Sequence, residues 1–183
     1  MRKIVAGLFI SLDGVYEAPD QWHFPYFDDA MGAAVQAQMD AADAMLLGRV
    51  TYQEFASYWP HQSNAEVDIA DYMNQTPKLV VSNTLDALEW QNSTLITGNV
   101  AAELSRLKQQ PGKNISITGS GTLVRSLLRD GLLDELRLLV HPIAVGTGKR
   151  LFPEGSERQP LKLVESEIFP TGVAYLTYQP AGA

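Results

Sequence analysis

The sequence predicts an α/β fold in which a mostly parallel sheet ends in an antiparallel hairpin. Short β-rich apolar runs alternate with amphipathic stretches, an order that calls for right-handed strand–helix–strand crossovers. Several runs, such as Leu79-Val80-Val81, are apolar on both faces, as the central strands of a covered parallel sheet are. The chain ends with two β-rich segments on either side of a turn signal, which is typical of a hairpin.

Six apolar runs are predicted to be strands, and amphipathic helices fit between them. The predicted strands are residues 4–10, 44–47, 79–82, 94–97, 115–118 and 136–140. The predicted helices carry apolar stripes at helical spacing, which are Met31-Val35-Met39-Ala42, Tyr52-Phe55-Trp59, Val100-Leu104-Leu107 and Leu123-Leu127. Asn99 is a suitable N-cap for the third helix, and Gly131 is well placed to end the last one.

The C-terminal segments complete the predicted sheet. Residues 161–168 and 173–178 flank Phe169-Pro170-Thr171-Gly172, a turn signal, so we expect an antiparallel hairpin there. Both halves of the chain contribute strands to the same sheet. We therefore expect residues 1–183 to form a single domain.

The composition excludes several classes of function. The chain has 14 basic and 21 acidic residues, and its net charge of -7 repels phosphate backbones and anionic lipid, so we expect neither nucleic acid nor a membrane as a partner. The absence of cysteine excludes disulfides, thiolate zinc sites and a cysteine nucleophile. His23, His61 and His141 lack the spacing of metal ligands, so we expect no metal site. We find no targeting signal and expect the protein in the cytoplasm.

Two segments have the composition of turns that hold phosphate groups. Gly119-Ser120-Gly121-Thr122 and Gly48-Arg49-Val50-Thr51 each follow a predicted strand and open a helix. Glycine lets the backbone approach a ligand closely, and the N-terminus of a helix offers N–H groups to an anion. A tight turn that binds nothing explains the first segment equally well. For the second, a helix cap by Thr51 beside a solvated Arg49 is the better interpretation from spacing alone.

A third strand end carries small polar residues. Ser82, Asn83 and Thr84 follow the predicted strand that begins at Leu79. Turn formation alone would also explain them, since serine and asparagine are frequent in turns. The three strand ends together indicate one long cleft along the carboxyl edge of the sheet, and a dinucleotide has the length and the phosphates to occupy it.

Acidic residues and an aromatic loop follow the first strand. Asp13 comes directly after it, and the loop beyond contains Trp22, Phe24 and Phe27 as candidate substrate-binding residues. Aromatic rings stack on a flat heterocycle while a carboxylate accepts its N–H groups. An Asx-turn beside a satellite hydrophobic cluster explains these residues equally well. Asp28 precedes the first helix, where the helix dipole alone accounts for an acidic residue.

The order of these motifs is similar to a known family. Ser11-Leu12-Asp13-Gly14, Leu47-Gly48-Arg49-Val50-Thr51-Tyr52, Val80-Val81-Ser82-Asn83-Thr84-Leu85, Gly119-Ser120-Gly121-Thr122-Leu123 and Pro142-Ile143-Ala144-Val145-Gly146-Thr147-Gly148 occur in succession. This set resembles the dihydrofolate-reductase-like superfamily. Within it, the chain looks most like the branch that contains the C-terminal domain of the bifunctional riboflavin-biosynthesis deaminase–reductase RibD. The resemblance covers essentially the whole chain, and it lies in the order and spacing of the motifs.

The resemblance implies a three-layer α/β/α fold with NADPH bound across the carboxyl edge of the sheet. The residues that it implies for cofactor binding are Gly48, Arg49 and Thr51 for phosphates, Ser82 and Asn83 for the adenosine ribose and its 2′-phosphate, and Gly119, Ser120, Gly121 and Thr122 for the pyrophosphate. Asn83 stands where many relatives carry Arg or Lys. This departure weakens the implied preference for NADPH over NADH.

The resemblance also implies a reductase. We expect hydride transfer from NADPH to a small pteridine-like or aminopyrimidine substrate, and 5-amino-6-(5-phosphoribosylamino)uracil of riboflavin biosynthesis is one candidate. Asp13 is expected to face the heterocycle and to orient it or relay a proton, for which a raised pKa would help, and Asp28 is the second catalytic candidate. The loop after Asp13 would resemble a mobile loop that closes over the nicotinamide. A non-catalytic NADP(H)-binding or redox-sensing module and a scaffold without a ligand remain as alternatives.

We also expect a homodimer. Tyr175, Leu176 and Tyr178 lie on the terminal hairpin, and the exposed edge that this hairpin creates suits a two-fold interface. The family resemblance points to a dimer as well.

Overall fold

The computed structural model describes residues 1–182 and contains an eight-stranded sheet with helices on both faces. The strands are β1 (Ile4–Ser11), β2 (Ala42–Gly48), β3 (Lys78–Val81), β4 (Ser93–Ile96), β5 (Asn114–Thr118), β6 (Glu135–His141), β7 (Leu161–Ile168) and β8 (Ala174–Pro180). The α-helices are α1 (Asp29–Asp40), α2 (Arg49–Tyr58), α3 (Ala70–Gln75), α4 (Val100–Lys108) and α5 (Gly121–Arg129). Short 3-10 helices lie at Pro19–Gln21, Phe24–Tyr26 and Trp59–His61. Within residues 1–182, no helix has the length and apolar character that crossing a membrane requires.

The sheet is parallel except at its C-terminal side. Its strand order is β4-β3-β2-β5-β1-β6-β8-β7, and every neighbouring pair from β4 to β6 is parallel. Antiparallel pairs join β6 to β8 and β8 to β7. In the turn between the last two strands, the amide of Phe169 donates to the carbonyl oxygen of Val173 and its own carbonyl accepts from Gly172. The predicted mostly parallel sheet with a terminal hairpin is therefore confirmed.

The alternation of side chains along β2 produces the three layers. Leu46 is buried on one face of the sheet in the cluster that also contains Leu104 of α4. The next residue, Leu47, is buried on the other face in the cluster that contains Tyr52 of α2. Since consecutive strand residues point to opposite faces, a central strand covered on both sides needs apolar residues at consecutive positions. Met31 of α1 covers a third cluster beneath β6 and β8.

Element boundaries differ from the predicted ones where the apolar pattern continues past an element. Ala42 extends the stripe predicted for the first helix, but α1 ends at Asp40 and Ala42 begins β2, where it pairs with Asn114. α3 was not predicted, because six residues are too short to show a helical stripe. The predicted cap at Asn99 is confirmed, since its side chain accepts the amide of Ala102 at 3.0 Å.

The predicted interface residues do not lie on the edge of the sheet. Tyr175, Leu176 and Tyr178 belong to β8, which is an inner strand between β6 and β7, and all three are half-buried. The exposed edge is β7, in which every residue after Leu161 is exposed. Any strand pairing through the hairpin would therefore use β7, so Tyr175, Leu176 and Tyr178 do not form the exposed edge that we expected. The homodimer itself stays a prediction.

The first residue of β3, Lys78, is a cation with no exposed surface. Its Nζ donates to the carbonyl oxygens of Met73 and Asn74 at 2.8 and 2.9 Å, at the C-terminal end of α3, and lies 4.1 Å from the ring centroid of Trp90. Carbonyl groups at the end of a helix and the face of an indole ring both favour a positive charge. Burial nevertheless dominates and lowers the pKa of Lys78 to about 8.

This buried cation predicts a pH-dependent stability. Because the pKa of Lys78 is about 8 in the folded state against 10.5 for a free lysine, the unfolded chain binds more protons between these values. We expect the free energy of unfolding to rise with pH in this interval, and to rise less in Lys78→Met, which lacks the titrating group. Urea denaturation of both proteins across the interval measures the difference. An equal rise in both would contradict the buried charge.

Candidate functional site

Hydrogen bonds from Ser120 join the ends of β2 and β5. The Oγ of Ser120 accepts the amide of Gly48 at 3.0 Å and donates to Oγ1 of Thr51 at 2.9 Å, and the amide of Ser120 donates to the same Oγ1 at 3.1 Å. The side chains of Ser120 and Thr51 are nine-tenths buried. Thr51 is therefore not the cap of α2, and the two predicted phosphate-binding turns lie against each other.

The third predicted strand end lies at the same edge. Gly48, the last residue of β2, pairs with Val81, the last residue of β3, so Ser82 and Asn83 follow directly beside it. The Oγ of Ser82 accepts the amides of Thr84 and Leu85, which makes it a turn residue. The structure thus brings all three predicted cofactor-binding segments to one edge of the sheet, while their roles in binding stay predictions.

The N-termini of α2 and α5 have no side-chain caps, although those of α1 and α4 do. The side chain of Asp28 caps α1 and that of Asn99 caps α4, whereas the N-cap positions of α2 and α5 are Gly48 and Ser120, and neither makes a side-chain cap hydrogen bond. The first amides of an uncapped helix point outward with a partial positive charge. Two such ends, joined by the hydrogen bonds of Ser120, form a region suited to an anion.

Glycine is required on both sides of Ser120. Gly119 has a φ of +71°, and a Cβ there would lie 3.3 Å from the side chain of Thr51. Ser120 itself is left-handed, with φ 54° and ψ 44°. A Cβ on Gly121 would overlap the ring of Tyr16, which therefore covers one side of the N-terminus of α5. Tyr16 comes from the loop after β1, so this loop is in direct contact with the turn at residues 119–122, which is predicted to bind phosphate.

Cations surround this region. Arg49 is exposed in the first turn of α2 and donates to Gln53 at 3.0 Å. Arg125 of α5 donates to Oγ1 of Thr122 at 3.1 Å, and both line a cavity of about 270 Å³ beside Tyr16. Sequence analysis did not identify Arg125 as a site residue. The position of Arg125 one helical turn after Gly121 is the signal that could have indicated it.

Asp13 holds a distant loop in place. Its Oδ1 accepts the hydroxyl of Ser11 at 2.6 Å and the amide of Val145 at 2.9 Å, and its Oδ2 accepts the amide of Gly146 at 2.8 Å. The Ser11 hydroxyl and then these two amides hold the pKa of Asp13 well below its usual range. An acid of this kind has no proton to relay at neutral pH, so the raised pKa that would serve a proton donor is not found. Two of its hydrogen bonds come from residues 132 and 133 positions away, so Asp13 does more than form a local Asx-turn.

The three candidate substrate-binding aromatic residues have different environments. Trp22 is buried, donates through Nε1 to the carbonyl oxygen of Glu17, and meets His141 edge-on at 5.1 Å between ring centroids. Phe24 and Phe27 remain 65% and 50% exposed. The interpretation as a satellite cluster therefore fits Trp22, whereas the other two rings are open to a ligand.

Asp28 has one carboxylate oxygen without a partner. Its Oδ1 accepts the amide of Met31 at 2.8 Å and so caps α1. Its Oδ2 is buried and has no hydrogen-bond partner among residues 1–182. A buried carboxylate oxygen is costly to leave unpaired and is available to an N–H donor. Asp28 is thus both a helix cap, as dipole reasoning expects, and a candidate ligand-binding acid.

These features together define an α/β/α protein with the dihydrofolate-reductase-like fold. Residues 2–175 match the model of the RibD C-terminal domain, and the chain belongs to this family. The expectation of an oxidoreductase is confirmed. The uncharacterized protein YyaP of Bacillus subtilis (strain 168) is 30% identical over 180 residues, which cover 97% of this chain and 94% of YyaP.

Solved structures show the same fold at low sequence identity. A putative riboflavin biosynthesis protein from Shewanella sp. PV-4 has a TM-score of 0.75 at 21% identity, covering 98% of this chain and 99% of that one. A dihydrofolate reductase from Enterococcus faecalis complexed with NADP(H) has a TM-score of 0.64 at 15% identity, covering 98% of this chain and 97% of that one. The predicted three-layer architecture is therefore confirmed.

The shared hydroxyl of Ser120 predicts a large effect on stability. In Ser120→Ala, the half-buried amide of Gly48 loses its acceptor and the buried Oγ1 of Thr51 loses a donor, so we expect the free energy of unfolding to fall by about 1–3 kcal/mol. Ser105→Ala is the matched control, because Ser105 is exposed on α4 and should change stability by less than about 0.5 kcal/mol. Urea denaturation measures both. Equal losses in the two variants would contradict the proposed network.

Proposed function

We propose that the protein is an NADPH-dependent reductase of a flat nitrogen heterocycle of the pteridine or aminopyrimidine class. One observation carries the proposal: two uncapped helix N-termini, those of α2 and α5, meet at the carboxyl edge of the sheet. Open α/β sheets bind nucleotides at this edge, and helix N-termini hold phosphates. The fold shared with a dihydrofolate reductase that binds NADP(H) supports the same cofactor.

The residues at this edge fit a coenzyme with two adjacent phosphates. Gly48 and Gly119 leave the backbone bare where β2 and β5 end, and the amides of Gly121 and Thr122 lie in the first turn of α5. Arg49 adds an exposed cation in the first turn of α2. We assign these residues to the pyrophosphate. Ser82 and Asn83, at the end of the neighbouring strand β3, would lie toward the adenosine ribose.

Residues 24–28, at the end of the loop between β1 and α1, fit a flat heterocycle. The Oδ2 of Asp28 can accept an N–H group of the substrate, and the exposed rings of Phe24 and Phe27 offer faces for stacking. When bound, the nicotinamide supplies the hydride. The contribution of the chain is to bind and orient the substrate and to keep water away. Asp28 is therefore a better candidate than Asp13 for the acid that contacts the substrate.

Cofactor binding can be tested with Arg49. We expect NADPH to bind the unaltered chain and Arg49→Gln to weaken binding about 10-fold, because a charge-assisted contact to phosphate is lost. Arg129→Gln removes an exposed cation from the opposite end of α5 and should leave the affinity unchanged. Isothermal titration calorimetry gives the three dissociation constants. The absence of NADPH binding to the unaltered chain would overturn the proposal.

Substrate binding can be tested with Asp28. Asparagine keeps the cap of α1 but replaces the free carboxylate oxygen, so we expect Asp28→Asn to lower turnover about 100-fold with little change in NADPH affinity. The neighbouring Asp29→Asn is the control, because Asp29 is exposed. NADPH consumption is measured with a panel of pterins and aminopyrimidines that includes 5-amino-6-(5-phosphoribosylamino)uracil. Equal turnover in both variants would remove Asp28 from the site.

The same panel separates the reductase from its main alternative. A redox-sensing module would bind NADPH with measurable affinity yet consume none of it with any heterocycle. That result would contradict catalysis while leaving the cofactor site intact. A scaffold protein would show neither binding nor consumption.

A further inference from the structure

Two histidines hold the loop after β1 on the sheet. His141 is the last residue of β6 and has no exposed surface, and His23 lies in the loop and is 7% exposed. Phe9 of β1 stacks on His23, with ring centroids 4.7 Å apart and planes 16° from parallel, and meets His141 edge-on at 5.6 Å. The two imidazoles are 6.1 Å apart and nearly perpendicular. Trp22 closes the cluster against His141.

Each imidazole has a buried nitrogen that makes no hydrogen bond. Nδ1 of His141 donates to the carbonyl oxygen of Leu139 at 2.8 Å, which fixes its proton on that atom and leaves Nε2 as an unpaired acceptor. Nδ1 of His23 is also buried without a partner among residues 1–182. A second proton on the Nδ1 of His23 would lie among aromatic side chains without an acceptor, and a second proton on His141 would face only the carbonyl group of Ile10. The cluster therefore fits two neutral imidazoles and no imidazolium.

Few charged groups face this pair. Asp20, in the same loop, favours the protonated form of His23, and His141 disfavours it. The phenol ring of Tyr26 packs edge-on against His141, and the carbonyl groups of Leu139 and Ile10 favour its protonated form. Burial outweighs these contributions and lowers the pKa of both histidines.

We propose that His23 and His141 form a proton-sensitive latch on the loop between β1 and α1. The loop packs on the sheet through Trp22 and His23 while both rings are neutral, and it is released when either ring takes up a proton. The loop carries Tyr16, which covers the N-terminus of α5, and it leads to Asp28. Release would therefore change access to both parts of the candidate site. The latch does not depend on the proposed activity, because loop packing can be followed without cofactor or substrate.

The direction of the pH effect follows from the two histidines. In a released loop they titrate near 6.5, the value of a free histidine. Above this pH both histidines are neutral whether the loop is packed or released, so protonation does not oppose packing. As the pH falls below it, the released loop binds protons that the packed loop excludes, so the packed state is progressively lost.

The indole N–H of Trp22 reports the latch directly. In the packed loop it donates to the carbonyl oxygen of Glu17, so its exchange with solvent is slowed. We expect its protection factor, measured by NMR, to fall at least about 10-fold between about pH 7.5 and about pH 5.5. The indole N–H of Trp90, which donates to Asn74 in another cluster, should stay protected over the same range.

Two variants identify the titrating groups. His141→Asn keeps a donor for the carbonyl group of Leu139, and His23→Phe keeps a ring stacked on Phe9, while each removes a titrating group. The double variant should show a protection factor for Trp22 that does not change over this pH range. His61→Gln is the matched control, because His61 is exposed and is the third of the 3 histidines in the chain. Constant protection in the unaltered chain, or an unchanged fall in the double variant, would overturn the latch.

Discussion

The hydroxyl group of Ser120 connects two neighbouring strand ends through a single buried atom. It accepts from Gly48 at the end of β2 and donates to Thr51 in the first turn of α2, while Ser120 itself opens α5. The two helices consequently begin at a fixed separation, with their positive ends side by side. A side-chain cap on either helix would have satisfied the amides that an anion needs. The site therefore depends on glycine and on a left-handed serine at these positions, in place of ordinary caps.

A second set of contacts joins the loops that follow β1 and β6. Asp13 accepts from Val145 and Gly146, and Glu17 pairs with Lys149 at 3.1 Å. The pKa of Asp13 is low because the hydroxyl of Ser11 and the amides of Val145 and Gly146 donate to its carboxylate and favour the charged form. The structural and chemical roles of the two candidate acids are thereby divided. Asp13 holds the loops together, and Asp28 retains one carboxylate oxygen without a partner among residues 1–182.

Local patterns were sufficient for much of the fold. The apolar runs located all six strands from β1 to β6 and the hairpin, because buried strands require apolar side chains. The glycine-rich turns at Gly48 and Gly119 were also located, because a strand that runs into glycine and then into a helix is a local signal. α3 was missed because its contacts are carried by only two buried residues, Ala70 and Met73.

Long-range pairings were beyond the reach of sequence patterns. Asp13 and the amide of Val145, which donates to it, are 132 residues apart, and Ser120 and Thr51 are 69 apart. Neither separation leaves a periodic signal in the chain. Sequence patterns did not pair His23 with His141, because only the strand order brings the loop after β1 beside the end of β6.

The outer strand of the hairpin carries an irregularity that bears on how copies of the chain can associate. The register of β7 on β8 shifts between Leu163 and Glu165, so Val164 bulges out of the ladder. A bulge bends a strand and increases its twist. A straight strand from another molecule could then align its main chain with only half of β7 at a time. The bulge in β7 therefore hinders the continuous pairing of strands along this edge from which fibrils grow.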